Sequence, residues 1–465
     1  MRRPFLSFTV VLLLSALTFA TQFNTTKQYP AFQIGVTGIV ATFEPGAVLT
    51  VQRTMADSPA EGKLEKGDVI ETVNGASISG DDPRKPLGEA LLKADAGDGK
   101  MVLQIKRGDQ TRQVAIIIPA LGGYSETWPA QCKKSDAIVK ELADKLVANQ
   151  REGGLYLLTA DGRQQALGNS INGCMATLFL MSTGNDAYMP AVKKFIDTLA
   201  AQAAERPTLS SWHLGYQLMA MGEYYLKTGD KSVLPAMQVL ANRTADGQIA
   251  GSWGHSMHDR ACGYVQSGQM NSAGVTVFLG LVIARECGVL PSDQTFEKAL
   301  HFFYRMPGHG SICYGDHRSE IYIDTNGRNG AIACAMSLLP EECYQQSAQH
   351  ISMLVADSYC APEAGHTGGG FNVIWRGISM QFLPNEHQHR YRHHMEELDW
   401  FYELCRLPGG GFKIMPSAPG GATRYTGEDW GISLGMTYTA DREQLRMLGA
   451  PPTPMATVRR RTRHT

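Results

Sequence analysis

The sequence predicts a protein of two domains, a small mixed β/α domain followed by an all-α (α/α) toroid of about six helical hairpins. A glycine-rich turn that carries an aromatic residue recurs along the second part of the chain, and two kinds of helix alternate between these turns. Before residue 120 the pattern differs, because short β-branched segments alternate with Gly, Pro and Asp. A chain of 465 residues also exceeds the usual size of a single hydrophobic core.

The spacing of the glycine-rich turns gives the period of the repeat. Gly251 and Gly310 are 59 residues apart, as are Gly310 and Gly369. A unit of this length fits a pair of helices rather than a pair of strands. The turns read REGGLY from Arg151, AGSWGH from Ala250, HGSICYGD from His309, HTGGGF from His366 and PGGGF from Pro408.

Two sets of helices are predicted between these turns. One set is rich in Gly, Ala, Ser and Met and suits the inside of a ring, because small side chains let helices approach closely: 170–181, 211–226, 270–286, 329–339, 373–382 and 428–437. The other set combines charge with an apolar stripe and suits the outside: 188–203, 231–241, 294–305, 341–357 and 386–406. A further helix is predicted over 135–149.

Composition excludes several classes of partner. Hydrophobic residues make up 43% of the chain, and a formal net charge of -1 favours neither nucleic acid nor an anionic membrane. No cofactor and no metal site is predicted, since the pair His389 and His393 falls on a predicted outer helix. The 9 cysteines form no CxxC motif, and their odd number leaves at least one unpaired or paired between chains.

The beginning of the chain predicts export. Arg2 and Arg3 precede an apolar run that ends at Phe19, which is the pattern of a signal peptide over residues 1–20. No later segment is apolar enough to predict a membrane span. We therefore expect a secreted, periplasmic or cell-envelope protein, with a flexible basic tail over residues 446–465.

The β/α domain is predicted over residues 32–119, with strands at 48–51, 68–73, 101–106 and 112–118 and a helix at 86–94. Its centre, SPAEGKLEKGDVIETVNG from Ser58 to Gly75, resembles a PDZ domain. The resemblance implies that a peptide adds to a sheet edge beside a loop formed by Ile34, Gly35 and Val36. The alternative is a PDZ-like unit that docks on the toroid. A linker over 120–134 leads to the toroid over 135–445.

The alternation of the two helix sets resembles the toroids of terpenoid cyclases, protein prenyltransferase β subunits, polysaccharide lyases and six-hairpin glycosidases. The order of signal, PDZ-like domain and toroid resembles uncharacterised exported proteins of planctomycete type. The acidic DxDD string of terpene cyclases is absent, which disfavours cyclisation. A protease is disfavoured because neither GxSxG nor HExxH occurs in a catalytic setting.

In toroids of these families, the turns before the inner helices open onto one end of the ring, so their polar residues are predicted to converge. The candidate catalytic residues are His255, Asp259, Tyr264, His317 and Asp429, and the candidate ligand-binding residues are Trp253, Arg260, Arg318, His366, Asn372, Trp375 and Arg376. Aromatic faces with guanidinium and imidazole groups suit an anionic sugar. The competing interpretation is that these groups cap helices and bridge turns.

The sequence leaves the chemistry open. A lyase would use a Tyr or His to remove a proton, whereas a hydrolase would need two carboxylates, for which Asp259, Asp316, Glu428 and Asp429 are available. The leading hypothesis is an exported protein whose toroid binds, with cleavage left open, an anionic polysaccharide while the PDZ-like domain binds a peptide or protein. The alternative is a non-catalytic envelope scaffold.

Overall fold

The computed structural model of this chain describes residues 23–160, 163–168, 171–258, 268–291, 293–319, 327–358, 368–416 and 426–457. An N-terminal β-sheet domain is followed by a helical, toroid-like domain. No helix in these ranges is both long and apolar enough to cross a lipid bilayer. The predicted signal peptide, residues 1–20, lies outside the described residues.

The sheet domain is built from antiparallel strands and one helix. Its elements are β1 (Phe32–Gln33), β2 (Ile39–Glu44), β3 (Val48–Thr54), β4 (Val69–Val73), β5 (Ala76–Ser77), α1 (Lys85–Ala96), β6 (Lys100–Arg107) and β7 (Gln110–Ile117). The strand order is β1-β2-β3-β4-β6-β7, and β5 pairs with β4. On β6, Met101, Leu103 and Ile105 are buried while the residues between them are more exposed, which is the alternation of a sheet with one covered face. The predicted strands and helix of this domain are confirmed.

The second domain consists of twelve helices with two short hairpins between them, as far as the chain is described. The helices are α2 (Lys133–Ala148), α3 (Ile171–Ser182), α4 (Met189–Glu205), α5 (Ser211–Thr228), α6 (Leu234–Gly247), α7 (Asn271–Glu286), α8 (Asp293–Tyr304), α9 (Arg328–Leu338), α10 (Glu342–Ala356), α11 (Gly368–Ser379), α12 (Gln388–Cys405) and α13 (Glu428–Thr437). The hairpins are β8 (Tyr156–Ala160) with β9 (Arg163–Leu167), and β10 (Gln248–Ile249) with β11 (Ser252–Trp253). Neither hairpin was predicted.

The inner helices form a closed circuit. Contacts run from α3 to α5, α7, α9, α11 and α13, and from α13 back to α3. Every residue of α3 and of α9 is buried, as expected for helices surrounded on all sides. The small residues matter where α5 meets α7, because a Cβ at Gly280 would lie 2.8 Å from the carbonyl oxygen of Gly215. The predicted ring of small-residue helices is confirmed, although α11 begins at Gly368 rather than at residue 373.

The two domains are joined by a buried cluster of charges, the junction cluster, made of Asp95, Lys134, Glu403 and Arg406. The ammonium nitrogen of Lys134 lies 2.7 Å from a carboxylate oxygen of Asp95 and 2.8 Å from one of Glu403. Arg406 pairs with the same two carboxylates, at 2.6 Å and 2.9 Å. Asp95 belongs to α1 and Glu403 to α12, so the cluster fixes the sheet domain to the ring.

Aromatic side chains close the junction cluster from the other side. The Tyr124 hydroxyl donates to Glu403 at 2.6 Å, and its oxygen lies 2.8 Å from that of Tyr438. Burial raises the pKa of Glu403, but the charges of Arg406 and Lys134 outweigh burial and hold this pKa below its usual range. The predicted linker, 120–134, is therefore part of the packed interior at Tyr124 and Lys134.

The predicted flexible tail, 446–465, is wrong for the part that the structure describes, up to Thr457. Arg446 forms a two-point ion pair with Glu286 at the end of α7, with both nitrogen–oxygen distances at 2.7 Å. Glu223, at the end of α5, accepts the backbone N–H groups of Arg446 and Met447. Thr457 donates its backbone N–H to Glu286 at 2.8 Å. Ion pairing and buried apolar residues hold this segment in place. Its sequence has neither a helical nor a strand period, so these interactions could not be predicted from it.

Most of the described cysteines act as core residues. Six of the seven free cysteines in the described ranges are buried, and Cys343 is exposed. Burial raises the pKa of the Cys174 and Cys334 thiols, which keeps them neutral and unreactive.

Candidate functional site

The first turns of the inner helices, which we call the rim, lie at one end of the ring. Asn172 on α3 contacts Asp429 on α13, which shows that these two helices begin at the same end. At the other end, Ser182 of α3 lies 2.7 Å from Thr439, just after α13. The inner helices α3 and α13 therefore run parallel, and the polar side chains of their first turns lie side by side.

Asp429 and Asn172 form the central contact of the rim. The Asn172 amide donates to the Asp429 carboxylate at 2.7 Å, and the two residues are 6% and 5% exposed. Asp429 lies in the first turn of α13, where the partial positive charge of the helix N-terminus stabilises an anion. Neither side chain contributes apolar surface to the core. A carboxylate is thus held by a donor and a helix end at the rim of the ring.

Glu428, the neighbour of Asp429, faces another way. Its carboxylate forms an ion pair with Lys145 of α2, and Lys145 also donates to the carbonyl of Gly410 at 2.9 Å. Successive residues on a helix point about 100° apart, so the carboxylates of Glu428 and Asp429 diverge. Glu428 faces the gap between the ring and the sheet domain, whereas Asp429 faces α3.

His255 lies at the start of α5. The indole N–H of Trp212 donates to Nδ1 of His255 at 3.0 Å, and the backbone N–H of Ser211 donates to the carbonyl of His255 at 3.0 Å. Because Nδ1 accepts, Nε2 carries the proton in the neutral ring. His255 is half-buried. The predicted catalytic histidine is therefore held at a helix start next in the circuit to the Asn172–Asp429 pair.

Several polar residues at the helix starts hold turns rather than face a ligand. Asn271, at the start of α7, donates to the carbonyls of Cys313 and Gly315. Asn329, at the start of α9, accepts the backbone N–H of Ile312, and Arg328 donates to the carbonyl of the same residue. The interpretation of such groups as turn-bridging partners holds for these three residues.

Both predicted tryptophan platforms lie inside the packing. Trp253 is 0% exposed and its indole N–H donates to the carbonyl of Thr244 at 2.8 Å, so a sugar cannot stack on it in this structure. Trp375 is 2% exposed, and its ring centroid lies 6.1 Å from that of Tyr216. Tyr216 belongs to α5 and Trp375 to α11, which do not follow one another in the circuit. Their contact fills the interior of the ring below the rim.

The predicted guanidinium and imidazole groups of three further residues do not join Asp429. Arg376 is buried, and its charge contributes, after burial, to lowering the pKa of His394 on the outer helix α12. It therefore lies near α12. His317 and Arg318 are exposed on the turn before α9, where Nδ1 of His317 lies 2.8 Å from the Arg318 carbonyl oxygen. The rotation of α11 decides the direction of Arg376, and spacing along the chain does not reveal this rotation.

The other candidates cannot be placed. Asp259, Arg260, Tyr264 and His366 lie outside the described residues, and for Asn372 only the backbone, within α11, is described.

The predicted peptide-binding loop is covered by the ring. Ile34, Gly35 and Val36 are buried, and a Cβ at Gly35 would lie 2.7 Å from the carbonyl oxygen of Glu403 on α12. The side-chain amide of Gln33 donates to the carbonyl of Arg406 at 3.2 Å. In addition, β1 already pairs with β2 through Phe32 and Ala41. In this structure the end of α12 lies next to the loop, at the position predicted for a peptide. This agrees with the alternative that the PDZ-like unit docks on the toroid.

Two of the cavities that border the ring in the described part of the chain help to place the site. One of about 530 Å³ lies at the end opposite the rim, beside Trp128, Gln381 and Asp441. The other, of about 270 Å³, lies between the sheet domain and the ring and includes Lys145 and Glu428. We place the candidate site at the rim, because Asp429, Asn172 and His255 lie there and the second cavity begins at the residue before Asp429.

Asn172, Trp212 and Lys145 were missed in the sequence. Asn172 and Trp212 are each the second residue of an inner helix, so a search of first turns for polar and aromatic side chains would have found them. The sequence does not point to Lys145, because its partner Glu428 lies 283 residues further along the chain.

Comparison with known proteins gives a family and general likenesses of fold. No curated protein matches this sequence. Solved structures that resemble it include an alpha-1,6-mannanase from Salegentibacter sp., with a TM-score of 0.49, 14% identity and coverage of 67% of this chain and 99% of that one. An unsaturated glucuronyl hydrolase from Streptococcus agalactiae has a TM-score of 0.46, 11% identity and coverage of 66% and 90%. A type II terpene cyclase from Scytonema has a TM-score of 0.44, 13% identity and coverage of 67% and 99%.

At these TM-scores the likenesses carry no chemistry over to this chain. The family comparison is more specific, because the model described as "Domain of unknown function (DUF6288)" matches residues 135–449, which include all the ring helices from α3 to α13. This match spans more than half of the 465 residues. The chain therefore belongs to the DUF6288 family.

Proposed function

We propose that this protein is an exported glycan-active enzyme, a glycoside hydrolase that cleaves an anionic polysaccharide at the rim of the ring. The observation that carries the proposal is the hydrogen bond between Asn172 and Asp429, 2.7 Å long, at the first turns of two adjacent inner helices. A buried polar pair there is not needed by the apolar core. It supplies an oriented carboxylate at one end of a ring that brings together side chains from distant parts of the sequence.

Hydrolysis of a glycosidic bond requires two carboxyl groups with different roles. Asp429 provides one. Glu428 does not suit the second role, because it diverges from Asp429 and pairs with Lys145. We propose Asp259, which the sequence places in the glycine-rich turn that also contains His255, as the partner of Asp429. A lyase would instead use His255 or Tyr264 as the base.

His255 has the role of a substrate contact in this proposal. Trp212 donates to its Nδ1, so Nε2 is the nitrogen that carries the proton in the neutral ring. Because the interaction with Trp212 fixes the ring orientation, His255 needs little ordering when a ligand binds. Export rests on the signal pattern of residues 1–20, and a peptide partner for the sheet domain stays a prediction.

The experiment uses the full mature chain with hyaluronan, polygalacturonate and alginate as probes. Reducing ends released by the wild type report hydrolysis, and a product with new ultraviolet absorbance from an unsaturated uronate reports a lyase. Asp429→Asn and Asp259→Asn are each expected to lower kcat by about 10²- to 10⁴-fold, the usual contribution of a general acid or base. Asp197→Asn, an exposed acid that pairs with Lys193, is the matched control and retains activity.

Three results would count against the proposal. Wild-type turnover in Asp429→Asn would remove Asp429 from the reaction. An unsaturated product would replace the hydrolase with a lyase. A wild type that binds none of the three probes would favour the non-catalytic scaffold.

A further inference from the structure

The cavity between the two domains has walls from both of them. The sheet domain contributes Val40 of β2 and Arg53 of β3, and the ring contributes Lys145, Lys413 and Glu428. Its volume of about 270 Å³ suits one sugar unit rather than a folded segment. The cavity thus exists only because the junction cluster holds the sheet domain against the ring.

The charged side chains that line this cavity are mostly basic. Arg53, Lys145 and Lys413 carry positive charge, and Glu428 is the single acid, already paired with Lys145. Within the described ranges, the structure shows no hydrogen bond or ion pair for the Arg53 guanidinium. An exposed arginine at the wall of a basic cavity favours a carboxylate or sulfate group, which its planar fork binds at two points.

The position of the cavity connects it to the rim. Glu428 lines the cavity, and the next residue, Asp429, accepts from Asn172 at the first turn of α13. Apolar side chains, among them Val40 and Leu158, complete the wall and suit the C–H face of a sugar ring. Peptide addition is disfavoured here, because β1 occupies the edge of β2 at Val40 and α12 covers the loop at Gly35.

We propose that the interdomain cavity is a subsite for an acidic sugar unit, with Arg53 of the sheet domain as the residue that binds its carboxylate or sulfate. The sheet domain then serves as part of the glycan-binding cleft. This inference rests on the proposed function, since it extends the glycan-binding site from the rim to the neighbouring cavity.

Binding is measured by calorimetry on the full mature chain, with hexasaccharides of hyaluronan, polygalacturonate and alginate and with the carboxyl-reduced form of each. Arg53→Gln is expected to weaken binding of the acidic probe by about 10- to 100-fold, because a hydrogen bond to a charged group is lost. The reduced probe binds the wild type weakly and the variant equally weakly. Arg112→Gln, an exposed arginine of β7 in the same domain that does not line the cavity, is the matched control and binds as the wild type does.

The failure of this inference can be told from the failure of the proposed function. If Arg53→Gln keeps wild-type affinity while Asp429→Asn loses turnover, the subsite is wrong and the enzyme stands. If Arg53→Gln weakens binding of an acidic probe that the wild type does not cleave, the subsite stands and the enzyme is wrong. Equal affinity for acidic and reduced probes, or no binding of any probe, overturns the subsite.

Discussion

Two polar groups in the interior of this protein each contain a buried carboxylate and are built differently. In the junction cluster, Asp95 and Glu403 each pair with both Lys134 and Arg406, so two negative charges meet two positive charges, and none of these four side chains is more than 4% exposed. At the rim, Asp429 accepts a hydrogen bond from the Asn172 amide and lies in the first turn of α13.

The difference teaches that burial and charge alone do not mark an active site. The junction cluster balances its charges and is closed by Tyr124 and Tyr438, so it leaves no face for a ligand. At the rim, a neutral amide donates to a buried carboxylate in the first turn of a helix. Charge deletion should therefore cost stability at the junction and activity at the rim.

The largest effect on the free energy of unfolding is expected from Lys134→Met. This change leaves Asp95 and Glu403 with Arg406 as their only cation in the cluster. Breaking a buried ion pair from one side costs about 3–5 kcal/mol of unfolding free energy, measured by urea denaturation. Lys140→Met, an exposed lysine of the same helix that pairs with Asp144, is the control and changes stability by less than about 1 kcal/mol. A loss as small as this in Lys134→Met would contradict the view that the cluster joins the domains.

A third buried group, the imidazole of His394, is expected to make the free energy of unfolding depend on pH. Burial, followed by the charge of Arg376, lowers the pKa of His394 to about 3, whereas the unfolded side chain titrates near 6.5. Between these values the unfolded chain binds more protons, so the stability contributed by neutral His394 is present above pH 6.5 and is lost as the pH falls. The free energy of unfolding is expected to decrease by up to about 1.4 kcal/mol per pH unit on acidification.

The comparison variant for this pH dependence is His394→Leu. It removes the titrating group and should flatten the part of the slope due to His394 in denaturation curves recorded from pH 7 to pH 4. His389→Leu, an exposed histidine of the same helix, should leave the slope as in the wild type. Identical slopes in wild type and His394→Leu would show that this imidazole does not control acid stability.

An intermediate effect is expected from Asn172→Ala. The change removes the donor to Asp429, and loss of one such hydrogen bond costs about 1 kcal/mol of stability. Under the proposed function kcat falls about 10-fold while KM is unchanged, because a misplaced catalytic carboxylate slows the reaction without affecting binding. A purely structural role would lower the melting temperature and leave kcat as it is.

The smallest effect on stability is expected from Asp429→Asn. Asp429 accepts from the neutral amide of Asn172 at a helix N-terminus, so replacing it with an isosteric amide should change the free energy of unfolding by less than about 1 kcal/mol. The measurement is urea denaturation beside that of Lys134→Met. A loss comparable to that of Lys134→Met would make the two clusters alike and remove the argument for an active site at the rim.

The sequence predicted what depends on neighbouring residues. Strands β3, β4, β6 and β7 follow from their β-branched composition, and the inner and outer helices follow from small-residue content and amphipathic period. His255 was chosen as a candidate because it lies in a glycine-rich turn, and Asp429 because it lies at the start of a predicted inner helix. These properties are local, since a helix period is read over about four residues.

Only the tertiary structure decided which candidates point into the packing. Trp253 and Trp375 point into the packing, and Arg376 lies towards α12, because the rotation of each helix is set by its contacts with neighbours in the ring. The junction cluster brings Asp95 to Arg406 across 311 residues, and this cluster determines that α12 covers the loop at Gly35. Composition and spacing establish the elements and their order, whereas the pairing of distant charges and the direction of each side chain depend on the whole fold, because those contacts form only when the ring closes.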